Sequence, residues 1–548
     1  MIMPVTRYSN LFFGAIQPEL RQNSTKKNGQ EGSGIGLNVG SAGQKNGQGS
    51  SGINLNDGSA GYKSGKNDKT SIFYINDAHG KSINIERTVS ASKVFDANVP
   101  LNTDVLKLSS GDIQLGEPLK ANRVMVEAQN IMGIMVSAVG NHEYDTPNYI
   151  KDLIPHMDYQ MLACNIHINP KNPLYGKIQK SCVKEVNGTK YGIIGVTPVD
   201  LFSRLKYSKI FEELQVDDFE QTVKDVQEET DKLRAQGINK IILLSHIGFG
   251  YDQRLAKLTE GIDVILGGHS HELLTDVKLG GNLFYSKAGE PVVITQAGRD
   301  GRFFGVLNIE WTKDGIIKKV QNNVTSTRGF KRNPVARSFF EYILGKPKVV
   351  GVIKTAPPPP ENASINPNPH ADFICDCMKE EFDADVALFG AATLRGHFES
   401  GKLDTRWLED ISPFKNKMVV VDYSEKEIVD ALKVSANSMV SINNKPGIVY
   451  VSGLRYTISE DGQLRSVSFV DKSGREIPID IKNPRTDKMY KTVLTDFYCQ
   501  GHDGFTMLKK YDKAQKYDFD MCKCVENHFV RHPEPAEIKD DGRIRIVD

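Results

Sequence analysis

GIMVSAVGNHEYD, residues 133–145, decides how this chain is read: an apolar, β-branched run passes directly into Gly140, Asn141, His142, Glu143 and Asp145. Runs of this length and composition suit buried strands, which puts the polar cluster in the loop at the strand's C-terminal end. The same arrangement recurs along the chain. SIFYIN (71–76) runs into Asp77-Ala78-His79, DVLKLSS (104–110) into Gly111-Asp112, KIILLS (240–245) into His246, and GIDVILG (261–267) into Gly268-His269-Ser270-His271. YGIIGV (191–196) is a further strand-like run, and Val216 to Gln236 has the charge-rich periodicity of an amphipathic crossover helix. Strands alternating with helices describe an α/β layered domain, and open α/β sheets place ligand sites at the C-terminal ends of their strands. PVVITQAG (291–298) and FFGVLNIEW (303–311) are expected to complete a second sheet packed on the first.

Each polar residue alone has an ordinary structural explanation. Asp77 and Asp112 suit turns, Asn141 suits a left-handed corner, and a histidine at a strand end is commonly a surface residue. Chance must place such residues at five strand ends at once to explain the set. Carboxylates, imidazoles and an amide without a Cys ligand favour a mixed N/O site for Zn, Mn, Fe or Co over a structural zinc site. Two such ions about 3.5–4 Å apart, joined by one short carboxylate, clamp a phosphoryl oxygen and supply hydroxide at neutral pH.

The ordered series NDAHG, GD, GNHEYD, SHIG and GGHSH resembles the calcineurin-like metallophosphoesterase signature, and its GNHEYD and GGHSH forms resemble the 5′-nucleotidase branch, over residues 71–328. The resemblance implies a four-layer α-β-β-α sandwich and a dinuclear site of two divalent ions. Carried over by motif position, Asp77, His79 and His271 bind the first metal, Asp112 bridges both, and Asn141, His246 and His269 complete the second. His142 stabilises the transition state or protonates the leaving oxygen, and Asp145 orients its ring.

The second half resembles the 5′-nucleotidase C-terminal domain, a smaller α/β unit that recognises substrate. DADVALFGAATLR (383–395), SPF (412–414) and DFYCQGHDGFTML (496–508) match its three segments. The match implies that Arg395 contacts phosphate, Phe414 and Phe497 sandwich a base, and Asp503 accepts hydrogen bonds from a ribose. Gly390 stands where the family often has Asn, and His502 replaces a Gly. ENASINPNPHADFICD (361–376) lacks an Arg that commonly precedes the first helix. Arg406 is a candidate to supply that charge, with a surface role the stronger expectation.

The chain's 548 residues suffice for several folding units. Residues 1–70 read as a disordered tail rich in Gly, Ser and Asn, containing an imperfect tandem repeat from Lys27 and Lys45. The phosphoesterase domain is expected over 71–330, a linker with the PPPP run over 331–369, and the C-terminal domain over 370–535, with a polar tail after Phe529. Lys plus Arg (69) balances Asp plus Glu (68), which argues against a nucleic-acid polymer as partner. Seven cysteines without a Cys-x-x-Cys pattern suggest free thiols. No run is long enough for a transmembrane segment and no signal peptide is evident, which favours the cytoplasm, although the family resemblance leaves export open. The expected activity is release of phosphate from nucleoside 5′-monophosphates. The alternatives are a 2′,3′-cyclic nucleotide phosphodiesterase, a nucleotide-sugar pyrophosphatase, or an inactive binding or surface protein.

Overall fold

The structure, a computed structural model, describes residues 53–54, 68–115, 119–145, 147–204, 213–360, 362–412, 414, 416–441 and 446–548. The expected tail lies outside the described residues except for 53–54 and 68–70. Ile53 and Asn54, in the second copy of the repeat, pair antiparallel with Val320 and Lys319. That copy therefore contributes an edge pairing that its composition does not suggest.

Along the chain, β1 (Lys69–Ile75), α1 (Ser82–Asn98), β2 (Asp104–Ser109), α2 (Leu119–Met132) and β3 (Val136–Ala138) build the first sheet and its helices. β4 (Thr189–Val196), α3 (Phe219–Ala235), β5 (Ile241–Ser245), α4 (Phe249–Leu258) and β6 (Val264–Leu266) build the second. β1, β2 and β3 run parallel, with Tyr74 opposite Leu108 and Leu108 opposite Val136. β4, β5 and β6 are likewise parallel.

Alternation along each strand splits the side chains between two cores, as a parallel strand covered on both faces requires. Ile72, Tyr74, Leu106, Leu108 and Val136 meet Ile193, Ile242, Leu244 and Val264 between the sheets. Phe73, Ile75 and Val139 face Val89, Phe95, Val124 and Met125 of α1 and α2 on one outer side. Ile194, Val196 and Leu243 face Val226, Leu233 and Leu255 of α3 and α4 on the other. Four layers, α-β-β-α, result. The crossover helix expected over 216–236 is α3, capped by Asp218, whose carboxylate accepts from the Gln221 amide at 2.8 Å.

One strand changes sheets relative to expectation. Pro291–Thr295 joins the second sheet beside β6, but β7 (Phe303–Trp311) pairs antiparallel with β1 in the first, Gly305 opposite Tyr74. Its Leu307, Ile309 and Trp311 side chains enter the inter-sheet core, while Phe304 enters the outer one. A hairpin strand that is apolar on both faces satisfies either sheet, so composition does not select between them.

The expected linker 331–369 carries regular structure. α5 (Pro334–Leu344) buries Ala336 and Phe340 in the outer core of the N-terminal half. β8 (Val349–Thr355) pairs with Gly401–Asp404 and with Ala536–Glu537. The proline run thus follows the first strand of the C-terminal half instead of preceding it. α6 (Pro369–Glu381) packs over a five-stranded sheet centred on Val386–Gly390, Met489–Thr495 and Met418–Ser424. α7 (Thr405–Ile411) reaches α1, and α8 (Met521–Arg531) lies against α6. The residues expected as a polar tail include Ile544–Val547, which pairs with Tyr456–Ser459. Among the described residues, no helix is long and apolar enough to cross a membrane.

Candidate functional site

The five strand-end loops converge. Asp77 and His79 follow β1, Asp112 follows β2, Asn141 follows β3, His246 follows β5, and His269 and His271 follow β6. Five of these seven residues adopt the left-handed backbone: Asp77 (φ 50°), His79 (49°), Asp112 (53°), His269 (76°) and His271 (64°). Such conformations cost about 1–3 kcal/mol each and persist where the surrounding structure over-determines them. Here they turn consecutive side chains toward one point. Gly140 permits the approach, because a Cβ there would lie 2.1 Å from Asp112 Oδ1.

Asp112 and Asp77 form the centre. His246 Nε2 is 3.0 Å from Asp112 Oδ2 and 3.7 Å from Asp77 Oδ1. His79 Nε2 lies 3.6 Å from Asp77 and 3.7 Å from Asp112, and His271 Nε2 is 3.4 Å from Asp77. Three overlapping groups have ligand atoms within 4.8 Å of one another: Asp77, His79 and His271; His79, Asp112 and His142; and Asp112, His246 and His269. The last residue's Nε2 also lies 4.0 Å from Asp200, a carboxylate with no assigned part in the sequence reading.

These residues fit a bound cation. Nε2 of His79 and of His246 are buried facing the Asp77 and Asp112 carboxylates without a hydrogen bond of good geometry, and Oδ1 of Asn141, of the same convergent set, is buried without a hydrogen bond. Buried polar atoms are ordinarily satisfied, so three poorly satisfied atoms within one cluster mark a place for a further ligand. Electrostatics agrees. Burial opposes ionisation of Asp77, yet the imidazoles of His246, His271 and His79 hold its carboxyl below the usual range; Asp112 lies well below it for the same reason. Burial likewise opposes protonation of His79 and His246, but the carboxylates push them up to about 9 and about 10. Protons thus occupy nitrogens that a divalent ion would displace them from.

Several supporting residues carry no ligand signal in the sequence. Glu143, within the quoted motif, is buried and gathers four backbone amides: Asp112 (2.9 Å) and Gly140 (2.8 Å) on Oε2, Ile113 (3.0 Å) and Gln114 (3.3 Å) on Oε1. It ties the loops after β2 and β3 together. Asp300 lies 3.2 Å from His79 Nδ1, and the Ser110 carbonyl lies 2.5 Å from His246 Nδ1. Each fixes the orientation of an imidazole, as partners of metal-binding histidines do. Asn76 donates to Asp77 Oδ2 at 2.7 Å. Glu143 was legible as part of GNHEYD; Asp300 and Asn76 had only their places beside strand ends.

His142 stands at the rim with its side chain 28% exposed, Nε2 4.0 Å from Asp112 and Nδ1 2.6 Å from Asp145. Burial lowers its basicity, but Asp112 and Asp145 outweigh this and raise the pKa.

The C-terminal residues assemble less tightly. Arg395 lines an interdomain cleft with Asp300, Arg302, Lys81 and Trp407, so it shares a cleft with the carboxylate that touches His79. Its guanidinium lies 5.2 Å from the Phe414 ring centre. Phe497 is elsewhere engaged, stacked at 4.7 Å on the imidazole of His502, the residue replacing a family Gly. The two rings thus face different neighbours. Asp503 has φ 54° and lowers the electrostatic cost of the Arg395 charge. Gly390 is explained by packing: a Cβ there would lie 1.8 Å from the Tyr498 hydroxyl, which fills that space.

Arg406 is not on the surface. It is buried, with Nη1 3.3 Å from Glu86 on α1 and Nη2 donating to the Gly345 carbonyl at 3.1 Å. Arg332 also binds Glu86, so one buried carboxylate joins the two halves. The Pro413 position of SPF lies outside the described residues.

Residues 349–510 match the family described as 5′-nucleotidase, C-terminal domain. The chain is 23% identical over 87% of its length to the trifunctional nucleotide phosphoesterase protein of Bacillus subtilis, of which it spans 35%. It is 24% identical over 74% of its length to a probable 5′-nucleotidase of Treponema pallidum, spanning 79% of that protein. In structure it is similar to a 5′-nucleotidase precursor from Thermus thermophilus, with TM-score 0.62, 22% identity, and coverage of 88% of this chain and 99% of that one.

Proposed function

We propose that the chain, a hydrolase of phosphoric esters whose residues 349–510 match the 5′-nucleotidase C-terminal domain family, is a 5′-nucleotidase that releases orthophosphate from nucleoside 5′-monophosphates at a pair of divalent metal ions. The observation that supports this reading is the convergence of five strand-end loops on Asp77 and Asp112, with the buried atoms His79 Nε2, His246 Nε2 and Asn141 Oδ1 lacking hydrogen bonds of good geometry.

In this reading Asp77, His79 and His271 would hold one ion and Asn141, His246 and His269 the other, with Asp112 available to both. When bound, such ions polarise the phosphoryl oxygens and lower the pKa of water. The chain's own residues do the rest. Asp145 accepts from Nδ1 of His142 at 2.6 Å, which leaves the transferable proton on Nε2, facing the site. The raised pKa keeps that proton on the ring until negative charge develops on the leaving oxygen. Arg395, with its guanidinium in the interdomain cleft, matches a phosphate as a planar fork. Phe414 and Phe497 supply flat faces for a base, and Asp503 an acceptor for ribose hydroxyls. His502 covers one face of Phe497, so a base stacks there once that imidazole swings aside.

The test pairs metal analysis of the purified protein with phosphate release from AMP and from a small chromogenic phosphate ester. Phe414→Ala and Phe497→Ala each remove stacking worth about 1–3 kcal/mol per base and should raise KM for AMP while sparing the ester. Equal losses on both substrates would remove the nucleoside from the reading. A 2′,3′-cyclic nucleotide and a nucleotide sugar belong in the same panel, and preference for either would reassign the substrate.

A further inference from the structure

A second group of metal-ligating side chains lies in the C-terminal half, on α6 and α8, away from the strand-end loops. His528 and His532 stand four residues apart at the end of α8, a spacing that brings both rings to one side of the chain. Glu380 on α6 meets them both. His528 Nδ1 is 2.7 Å from its Oε2, and His532 Nε2 is 2.7 Å from its Oε1. The three residues offer ligand atoms within 4.8 Å of one another.

The cluster is held in place. Phe373 and Phe529 meet the His528 ring nearly edge-on, at 5.3 and 5.5 Å between centres. The His532 amide donates to the His528 carbonyl at 2.7 Å. Glu534 lies 3.7 Å from His532 Nδ1, a second carboxylate beside that ring. The side chains of His528, Glu380 and His532 are 20%, 32% and 45% exposed, so an ion reaches them from solution. Arg531 competes for Glu380, with Nε 3.2 Å from Oε1, but its Nη1 is paired at 2.6 Å with Glu381 and keeps a partner if Glu380 turns away.

We propose that Glu380, His528 and His532 form a surface site for a first-row divalent ion such as Zn²⁺, clamping α8 to α6. Two imidazole nitrogens and one carboxylate oxygen are a donor set that such ions accept, with water completing the shell. No residue of the phosphoesterase site takes part, so the site is independent of the substrate reading.

The full-length protein is stripped with chelator, re-equilibrated with Zn²⁺, desalted, and its metal content measured by mass spectrometry beside a His528→Gln/His532→Gln variant. The variant should retain one ion fewer per chain with phosphate-ester hydrolysis undiminished. In parallel, wild type is treated with diethyl pyrocarbonate with and without Zn²⁺, and the peptide carrying both histidines is analysed; Zn²⁺ should protect both rings. This second arm decides the matter if the variant does not fold. Equal metal content in wild type and folded variant, or equal modification with and without Zn²⁺, would overturn the site and leave Glu380 as a counter-ion for His528, Arg531 and His532.

Discussion

Replacing Glu143 by Gln keeps the side chain's shape and removes only its acceptor symmetry. In the native site both carboxylate oxygens receive two amides each, Asp112 and Gly140 on one and Ile113 and Gln114 on the other. Whichever way the new amide turns, its NH₂ faces two backbone N–H groups, so two buried donors lose their acceptor. At about 1–3 kcal/mol for each unsatisfied donor, the cost is about 2–6 kcal/mol. For a domain of this size, with roughly 2–4 °C per kcal/mol, the melting temperature of the N-terminal half should fall by at least about 4 °C. Because the four amides belong to the 112–114 segment and to Gly140, which position Asp112 and Asn141, bound metal should fall with it. Calorimetric melting of the chelated protein, together with metal content after reloading, measures both. Wild-type melting and full metal content in Glu143→Gln would refute the view that this carboxylate ties the two loops together.

Chelation should abolish hydrolysis, and Asp112→Ala should cost more activity than Ala at any single terminal ligand, because Asp112 belongs to two of the three overlapping groups and lies 3.7 Å from His79 of the third; metal content and turnover of the variants read this directly. His142→Ala should lower kcat by on the order of 10² to 10⁴ with little change in KM, measured by steady-state kinetics on AMP. Glu399, opposed by burial but held by His397 and Arg87, has its pKa lowered from 4.5 to about 2. Its stabilising contribution is therefore complete above pH 4.5 and is lost as pH falls toward 2, so the stability gap between wild type and Glu399→Gln in urea unfolding should close over that interval. Gly390→Asn, the residue the family often carries, should destabilise this chain because the Tyr498 ring already fills the space, whereas adding Tyr498→Ala should recover part of the loss in melting temperature.

The strands and their loops were legible because buried parallel strands are near-continuous apolar runs and because ligands must follow them directly; β1, β2, β3, β5 and β6 lie where those runs occur. α3 announced itself through amphipathic periodicity and the cap at Asp218. The sequence by itself thus determined the α/β character, the strand-end positions of Asp77 through His271, and the C-terminal motifs. Tertiary structure decided which sheet β7 joins, since an apolar hairpin strand satisfies either, and placed β8 within the C-terminal half. It revealed Arg406 as a buried partner of Glu86 across 320 residues of chain, a pairing no local pattern encodes. It also supplied Asp300 and the left-handed corners at Asp77, His79, Asp112, His269 and His271. Local sequence carries periodicity and turn chemistry, but which distant charge neutralises a buried one, and how far a backbone is bent to aim a side chain, depend on neighbours that folding alone brings together.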